Sequence, residues 1–451
     1  MLCSNARRHP SRWCAIRPND RPGDVGPELD REHHHRIRAA ILHGAPIAIG
    51  LGSVFVVARD GSPVWQVIRA VVAAAVVGTG WLGVQRGGLQ RIAAGLALAW
   101  LAVPVGIGIG VPHLAAVGLS VATVAGVLVL FGGLTVFSTA LIAVARRAGR
   151  VLAVPASAGA VIVLIVMGFT LGQAVAATNV PRTDLGSRTP ADEGLAFRDV
   201  TFPAADGTPL SGWFVPGLSE ANVVLLHGAG STRSNVLDHA VALAGQGLGV
   251  LLFDARGHGR SGGRAMDFGW FGDDDIDGAI QFLVNEPGVD PARVAVVGLS
   301  MGGEQALGAA ATNPSIRAVV AEGATNRVAG DKAWLSDVYG VRGTVTEGIG
   351  VLTTCFADLL TSAGPPVELR EAVRRGVPTL LIAGGAIADE VHAGRYLQSA
   401  SPATVELWVA PDTPHTAALR MHPDEWTTRV TSFLSEALGV RLGEVEPRVR
   451  R

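Results

Sequence analysis

Lysine is nearly absent. The only one among 451 residues is Lys332, followed by Ala333. A phosphate-binding P-loop requires Gly-Lys-Ser/Thr, so a Walker-type nucleotide triphosphatase is excluded. Cysteine is almost as scarce, and of Cys3, Cys14 and Cys355 only the last falls in the C-terminal half. No disulfide framework can form there, and no His-Glu-x-x-His or paired-cysteine spacing points to a metal. Charge is scarce too, at 17% of residues with a net value of −1. Without a basic excess, a nucleic acid is not an expected partner.

What is abundant is apolar. Hydrophobic residues make up 49% of the chain, and mean hydropathy is +0.36. That is too high for a wholly water-exposed protein of this size and suggests membrane spans. Residues 1–40 are polar and rich in Arg and Pro, and they read as a disordered cytoplasmic tail without a secretory apolar core. The triplet His33, His34 and His35 reads as a solvated juxtamembrane tract. Residues 41–177 hold five apolar stretches, at 41–58, 64–84, 92–111, 114–145 and 151–177. Each meets or approaches the ~20 residues that cross a bilayer core. Breaks are expected at Arg59-Asp60-Gly61, at 85–90, at Pro112-His113 and at 146–150. Gly106, Gly108 and Gly110 suit close helix contact better than a nucleotide loop, because no strand–turn–helix surrounds them. No acidic residue lies in the five stretches, so nothing marks an ion pathway or a transporter.

Arginine asymmetry sets the expected orientation. With five crossings, Arg31, Arg36, Arg38, Arg86, Arg91, Arg146, Arg147 and Arg150 share one side, and Arg59, Arg69, Arg182 and Arg188 the other. The positive-inside rule then places the N-terminus in the cytoplasm and everything after residue 194 outside a cell membrane. Residues 178–194 read as a linker, and 441–451 as a polar tail.

Residues 195–440 have another texture. Short β-rich runs (197–202, 210–215, 223–226, 250–253, 294–297, 318–321, 379–383, 405–409) alternate with helical runs at 235–246, 273–285, 301–312, 391–400 and 423–438. This alternation predicts an α/β domain with a mostly parallel, doubly wound sheet covered on both faces, behind an all-α transmembrane bundle. Residues 325–375 interrupt the pattern and read as a helical cap. Its Trp334, Leu335, Tyr339, Phe356, Leu359 and Leu360 could line an acyl pocket or simply pack.

Gly-x-Ser-x-Gly occurs twice, and in a chain with 58 glycines the pattern alone says little. At Gly259-Arg260-Ser261-Gly262-Gly263 no helix follows, so it reads as a loop. At Gly298-Leu299-Ser300-Met301-Gly302 a strand precedes and a helix follows. A sharp strand-to-helix turn would expose the Ser300 hydroxyl above the sheet, with helix amides aimed at the reacting oxygen.

Four blocks then occur in order. They are Leu226-His227-Gly228-Ala229-Gly230, Asp254 to Gly262 with Arg256 and His258, the turn at Ser300, and His415 after the last strand. Together they resemble the α/β-hydrolase superfamily of serine hydrolases, in its dienelactone-hydrolase-like and prolyl-oligopeptidase-like branch. The resemblance implies an ester, thioester or amide hydrolase, esterase- or lipase-like or a peptidase, acting through an acyl-enzyme on Ser300. His415 would be the general base. His227 and His258 would shape loops, and His422 is less suited to chemistry. Asp389 is the first choice for the acid, with Glu390 and Glu322 as alternatives. Backbone N–H groups of Met301 and Ala229 would form the oxyanion hole. No cofactor or metal is implied. Expected partners are a small-molecule or lipidic acyl substrate and the lipid bilayer. An acyltransferase with the same triad, or a non-catalytic receptor or scaffold on this fold, are the other readings.

Overall fold

A computed structural model describes residues 88–443 except 265, with scattered residues between 49 and 85. All belong to one compact unit, Ala45–Arg451. The tail with His33–His35, the first expected span and residues 444–451 lie outside the described residues, as does most of the second span.

Among the described residues, three helices are long and apolar enough to cross a membrane, with mean hydropathies of 2.1, 2.4 and 2.4. They are α1 (Leu89–Val117), α2 (Val121–Arg147) and α3 (Gly149–Phe169), which continues past Thr170 as α4 (Leu171–Asn179). The third span, Val151–Asn179, runs through α3 and α4, so the shortest of the three is α2, 27 residues and about 40 Å long, longer than a ~30 Å hydrocarbon core. The glycines let α1 and α2 touch at backbone distance: a Cβ on Gly126 would stand 2.4 Å from the Gly110 nitrogen. The expected break at Pro112-His113 does not occur. Proline removes one helical hydrogen bond, but α1 runs through Pro104 and Pro112, and the His113 ring bonds the Ile109 carbonyl at 2.9 Å. The turn comes later, at Gly118, where φ is +68° and Ser120 caps α2 through the Thr123 amide.

The linker is strapped down rather than loose. Thr178 and Asn179 are buried at the end of α4, and Asn179 Oδ1 accepts from Arg264 at 3.2 Å. The Arg182 guanidinium donates to the carbonyls of His258, Gly259, Ser261 and Gly263.

The following domain is built on one eight-stranded sheet. Its strands are β1 (Arg198–Pro203), β2 (Pro209–Val215), β3 (Asn222–Leu226), β4 (Gly249–Phe253), β5 (Val294–Leu299), β6 (Ile316–Glu322), β7 (Thr379–Gly384) and β8 (Val405–Ala410). Their spatial order is β1-β2-β4-β3-β5-β6-β7-β8. The β1–β2 and β2–β4 pairs are antiparallel and all later pairs parallel. Alternate side chains serve two cores. Val224, Leu226, Val294 and Val296 pack under α6 (Gly272–Val284) and α7 (Met301–Thr312). Val223, Leu225, Ala295 and Val297 pack under α5 (Leu237–Gly245) and α13 (Pro423–Leu438). Strand order reverses at β3, which has β4 on one side and β5 on the other. In an open parallel sheet the crevice forms at the carboxyl ends beside such a reversal, and Ser300 follows the end of β5.

Between β6 and β7 lie α8 (Leu335–Tyr339), α9 (Val341–Leu360) and α10 (Leu369–Val373). This insertion docks on the apolar helices. Phe356 and Leu360 pack against Ile109, Leu171 and Val175, while Trp334 and Leu335 pack against Ala393 of α11 (Ala388–Gln398). Leu359 is exposed.

Candidate active site

Ser300 occupies a turn that only close packing can hold. Its φ of +53° and ψ of −122° fall where an L-residue is strained. The turn has no room for side chains on its flanks. A Cβ on Gly298 would lie 2.2 Å from the Gly302 carbonyl oxygen, and one on Gly302 would lie 2.7 Å from that of His227. The Ser300 amide donates to the Glu322 carbonyl at 2.7 Å. That ties the turn to the end of β6. Met301 opens α7, where the Gly303 and Glu304 amides bond the Ser300 carbonyl and the first amide, that of Met301, precedes any acceptor within the helix. Ala229 lies in the loop after β3, and Gly228 of that loop abuts Ser300, its would-be Cβ 3.2 Å from the serine Cβ.

His415 reaches the same place from the loop after β8. Its ring lies against Gly323, the residue after β6, at 2.8 Å from the position of a Cβ there. The Ser300 backbone and the His415 ring are therefore both held at the end of β6. His415 Nδ1 bonds Glu390 Oε1 at 2.6 Å, and Glu390 Oε2 accepts the Gly384 amide at 2.8 Å. The carboxylate is buried and anchored by the end of β7. That hydrogen bond holds the half-exposed imidazole above its ordinary pKa, against the opposing effect of burial. With Nδ1–H donating to the carboxylate, Nε2 is left as the basic nitrogen.

Asp389 does not take part in this contact. Its carboxylate is exposed and accepts from the Tyr339 hydroxyl at 2.6 Å. Residues 389 and 390 are consecutive on α11, so they point about 100° apart. The buried positions of that helix are Glu390, Ala393, Gly394 and Leu397, a 3.6-residue stripe that could have singled out Glu390 beforehand. Glu322 is also elsewhere. Its buried carboxylate accepts the Ala418 amide at 2.8 Å and the Trp426 Nε1–H at 3.1 Å, and burial raises its pKa. It pins the chain just after His415.

Of the other histidines named from the sequence, His227, His258 and His422 are tied by hydrogen bonds to loops. The Ala255 amide donates to His227 Nε2 at 3.0 Å, so Nδ1–H donates to the Gly228 carbonyl at 2.8 Å. Burial, with His258 beside it, pushes His227 down to about 4. His258 bonds the Arg256 carbonyl through Nδ1, and His422 bonds Pro411 and Thr413. Glu304, one turn beyond Ser300, carried no signal in the sequence beyond being the one charged residue of α7. Its Oε1 accepts the amides of Thr325 and Asn326 at 3.0 and 2.9 Å, latching the insertion to α7. A cavity beside this latch is lined by Gln173, Trp270, Asn326 and Lys332, but by neither Ser300 nor His415.

Residues 218–363 match the family model described as serine aminopeptidase, S33. The C-terminal domain has the mostly parallel sheet of the α/β-hydrolase fold. An uncharacterised protein of Mycobacterium tuberculosis is 41% identical over 122 residues, 26% of this chain and 43% of that protein. A thiohydrolase of Aspergillus aculeatus is 32% identical over 139 residues, 29% of this chain and 43% of that enzyme. The chain thus spans less than half the length of these curated relatives. A solved Pyrococcus furiosus esterase is 28% identical with a TM-score of 0.47, covering 58% of this chain and 98% of that one.

Proposed function

We propose that the chain is a membrane-anchored serine hydrolase that cleaves an ester, thioester or amide through an acyl-enzyme on Ser300. Convergence at the end of β6 supports this reading: the strained Ser300 is tied to Glu322 there, and the Glu390-bound His415 lies against Gly323, the next residue. Ser300 Oγ attacks the acyl carbonyl and its proton passes to His415 Nε2. Glu390 holds the ring and stabilises the imidazolium. The amides of Met301 and Ala229 receive the developing oxyanion. The imidazolium protonates the leaving group, and water then hydrolyses the acyl-enzyme by the same base. Among the relatives, the names esterase and thiohydrolase favour an oxygen ester or thioester. A fluorophosphonate probe tests the nucleophile. Wild type should label and Ser300→Ala should not; equal labelling of both sinks the assignment.

The hydrolase domain lies outside the cytoplasm in this reading. Arg146, Arg147 and Arg150 sit where α2 ends and α3 begins, and the Arg147 guanidinium lies near Gly88 before α1. The catalytic domain follows the opposite end of α3–α4. One crossing separates the two, so the positive-inside rule assigns the side without a count of all spans. Ser187→Cys in a chain lacking other cysteines should react with an impermeant maleimide in intact cells. Reaction only after lysis would reverse the sidedness.

A further inference from the structure

Helix α9 is amphipathic in the wrong sense for water. Its buried face against the protein carries Gly343, Gly350 and Ala357. On the opposite side, at helical spacing, stand Val341, Val345, Leu352, Cys355 and Leu359. Their exposures include 82% for Val341, 58% for Val345 and 76% for Leu359. The helix has only three charged residues, Arg342, Glu347 and Asp358, and none falls within a quarter turn of the centre of that stripe. A helix bordering water carries its polar residues on the outer face. This one carries apolar residues there.

The face is continuous with the apolar helices. At the C-terminal end of α9, Phe356 and Leu360 pack against Ile109, Ala122, Leu171 and Val175. The connection between α1 and α2, beside Ala122, also exposes Leu119 and Val121. The stripe thus begins where the spans leave the hydrocarbon on the hydrolase side. We propose that α9 lies in the membrane–water interface, its Val341–Leu359 stripe immersed in the acyl boundary of that leaflet. The insertion that enters the fold between β6 and β7, latched to the Ser300 helix through Glu304, then rests on the bilayer. The site would take amphiphilic acyl substrates from the leaflet rather than from bulk water. The proposal builds on the reading of α1 to α3 as spans.

Cys355 stands inside the stripe and is exposed. Full-length protein with Cys3→Ser and Cys14→Ser, labelled at Cys355 with an environment-sensitive fluorophore, is placed in phosphatidylcholine–phosphatidylglycerol nanodiscs. The expected result is blue-shifted emission, most of it lost to lipids spin-labelled just below the headgroup and little to aqueous iodide. Quenching by iodide alone overturns the proposal, because the face is then in water. Quenching by neither also overturns it, because protein such as a second copy then covers the stripe. Two single-cysteine variants in a Cys355→Ser background separate the remaining cases. Thr346→Cys, exposed on another side of α9, should be iodide-accessible; lipid quenching there would mean the helix is submerged bodily, against an interfacial position. Phe131→Cys, exposed on α2, should be quenched by lipid. If it is not, the spanning reading fails; if it is and Cys355 is not, only the interfacial helix fails.

Discussion

The same five-residue pattern occurs at 259–263 and at 298–302, and the two serines have opposite environments. Ser261 is buried. Its hydroxyl donates to the Asp254 carbonyl and accepts the Ser211 amide at 2.9 Å. Both bonds close a loop whose carbonyls Arg182 also binds. Ser300 has a left-handed φ between a strand and a helix, and no side-chain cap bond at its helix. One hydroxyl is spent on structure. The other is held out at the reversal point of the sheet. The glycines are required in both places, at 298 and 302 by close backbone approach and at 259 and 263 by left-handed φ beside the Asp254 and Arg256 side chains, so their presence does not distinguish the two. What distinguishes them is the element that follows: a loop after Gly263, and a helix from Met301.

The largest expected effect sharpens this contrast. Ser300→Ala should lower ester or thioester turnover by about 10³-fold or more with little change in melting temperature. Ser261→Ala should keep turnover but lose roughly 1–3 kcal/mol of stability, because the buried Ser211 amide loses its acceptor. Calorimetry and an acyl-ester assay on both variants read the pair, and swapped outcomes would break the comparison. Next comes the acid. Glu390→Gln should cost about 10²–10⁴-fold in kcat/KM, whereas Asp389→Asn should stay within a few-fold, since Asp389 binds only Tyr339. A large loss in Asp389→Asn alone would return the acid to that position.

Smaller effects follow from packing. Gly298→Ala brings a Cβ to 2.2 Å from the Gly302 carbonyl, whereas Gly262→Ala brings one to 3.0 Å from the Pro209 ring. The first should destabilise by about 1–3 kcal/mol or more and reduce probe labelling, and the second by less. Equal melting temperatures would refute that ranking. The smallest effect is in pH. Glu390 raises the His415 pKa, so the acid limb of kcat/KM should lie above the ordinary histidine value of about 6.5. Glu390→Gln removes the carboxylate and should move that limb down. The stability sign is opposite in pH: a raised folded pKa adds stability below the unfolded value, lost as pH rises through the folded one. A limb that does not move in the Gln variant would separate Glu390 from His415.

Much of the hydrolase domain was legible because its signals are local. Each β-rich run became a strand, and the helices at 301–312 and 423–438 fall on the expected residues. Such elements follow from periodicity and from breakers beside them. The Pro112 break failed because proline costs a hydrogen bond, not a helix, when neighbouring helices hold the backbone. That Glu390 rather than Asp389 contacts His415 was less legible for another reason. Order in the family pattern weighed a position along the chain, while a triad needs a direction in space. One residue's difference on α11 turns a carboxylate from Tyr339 to His415. The buried stripe of α11 carries that direction.

From the chain alone came the class of domain, the preference for Ser300 over Ser261, His415 as its partner in order, and apolar segments of spanning length. These depend on composition and on neighbours a few residues apart. Only the folded structure brought Glu390, 25 residues away in the chain, onto His415, and held both Ser300 and His415 at the end of β6. It also turned the insertion onto the apolar helices. Those contacts are made between elements, and the sheet order that sets them is decided by packing two cores at once.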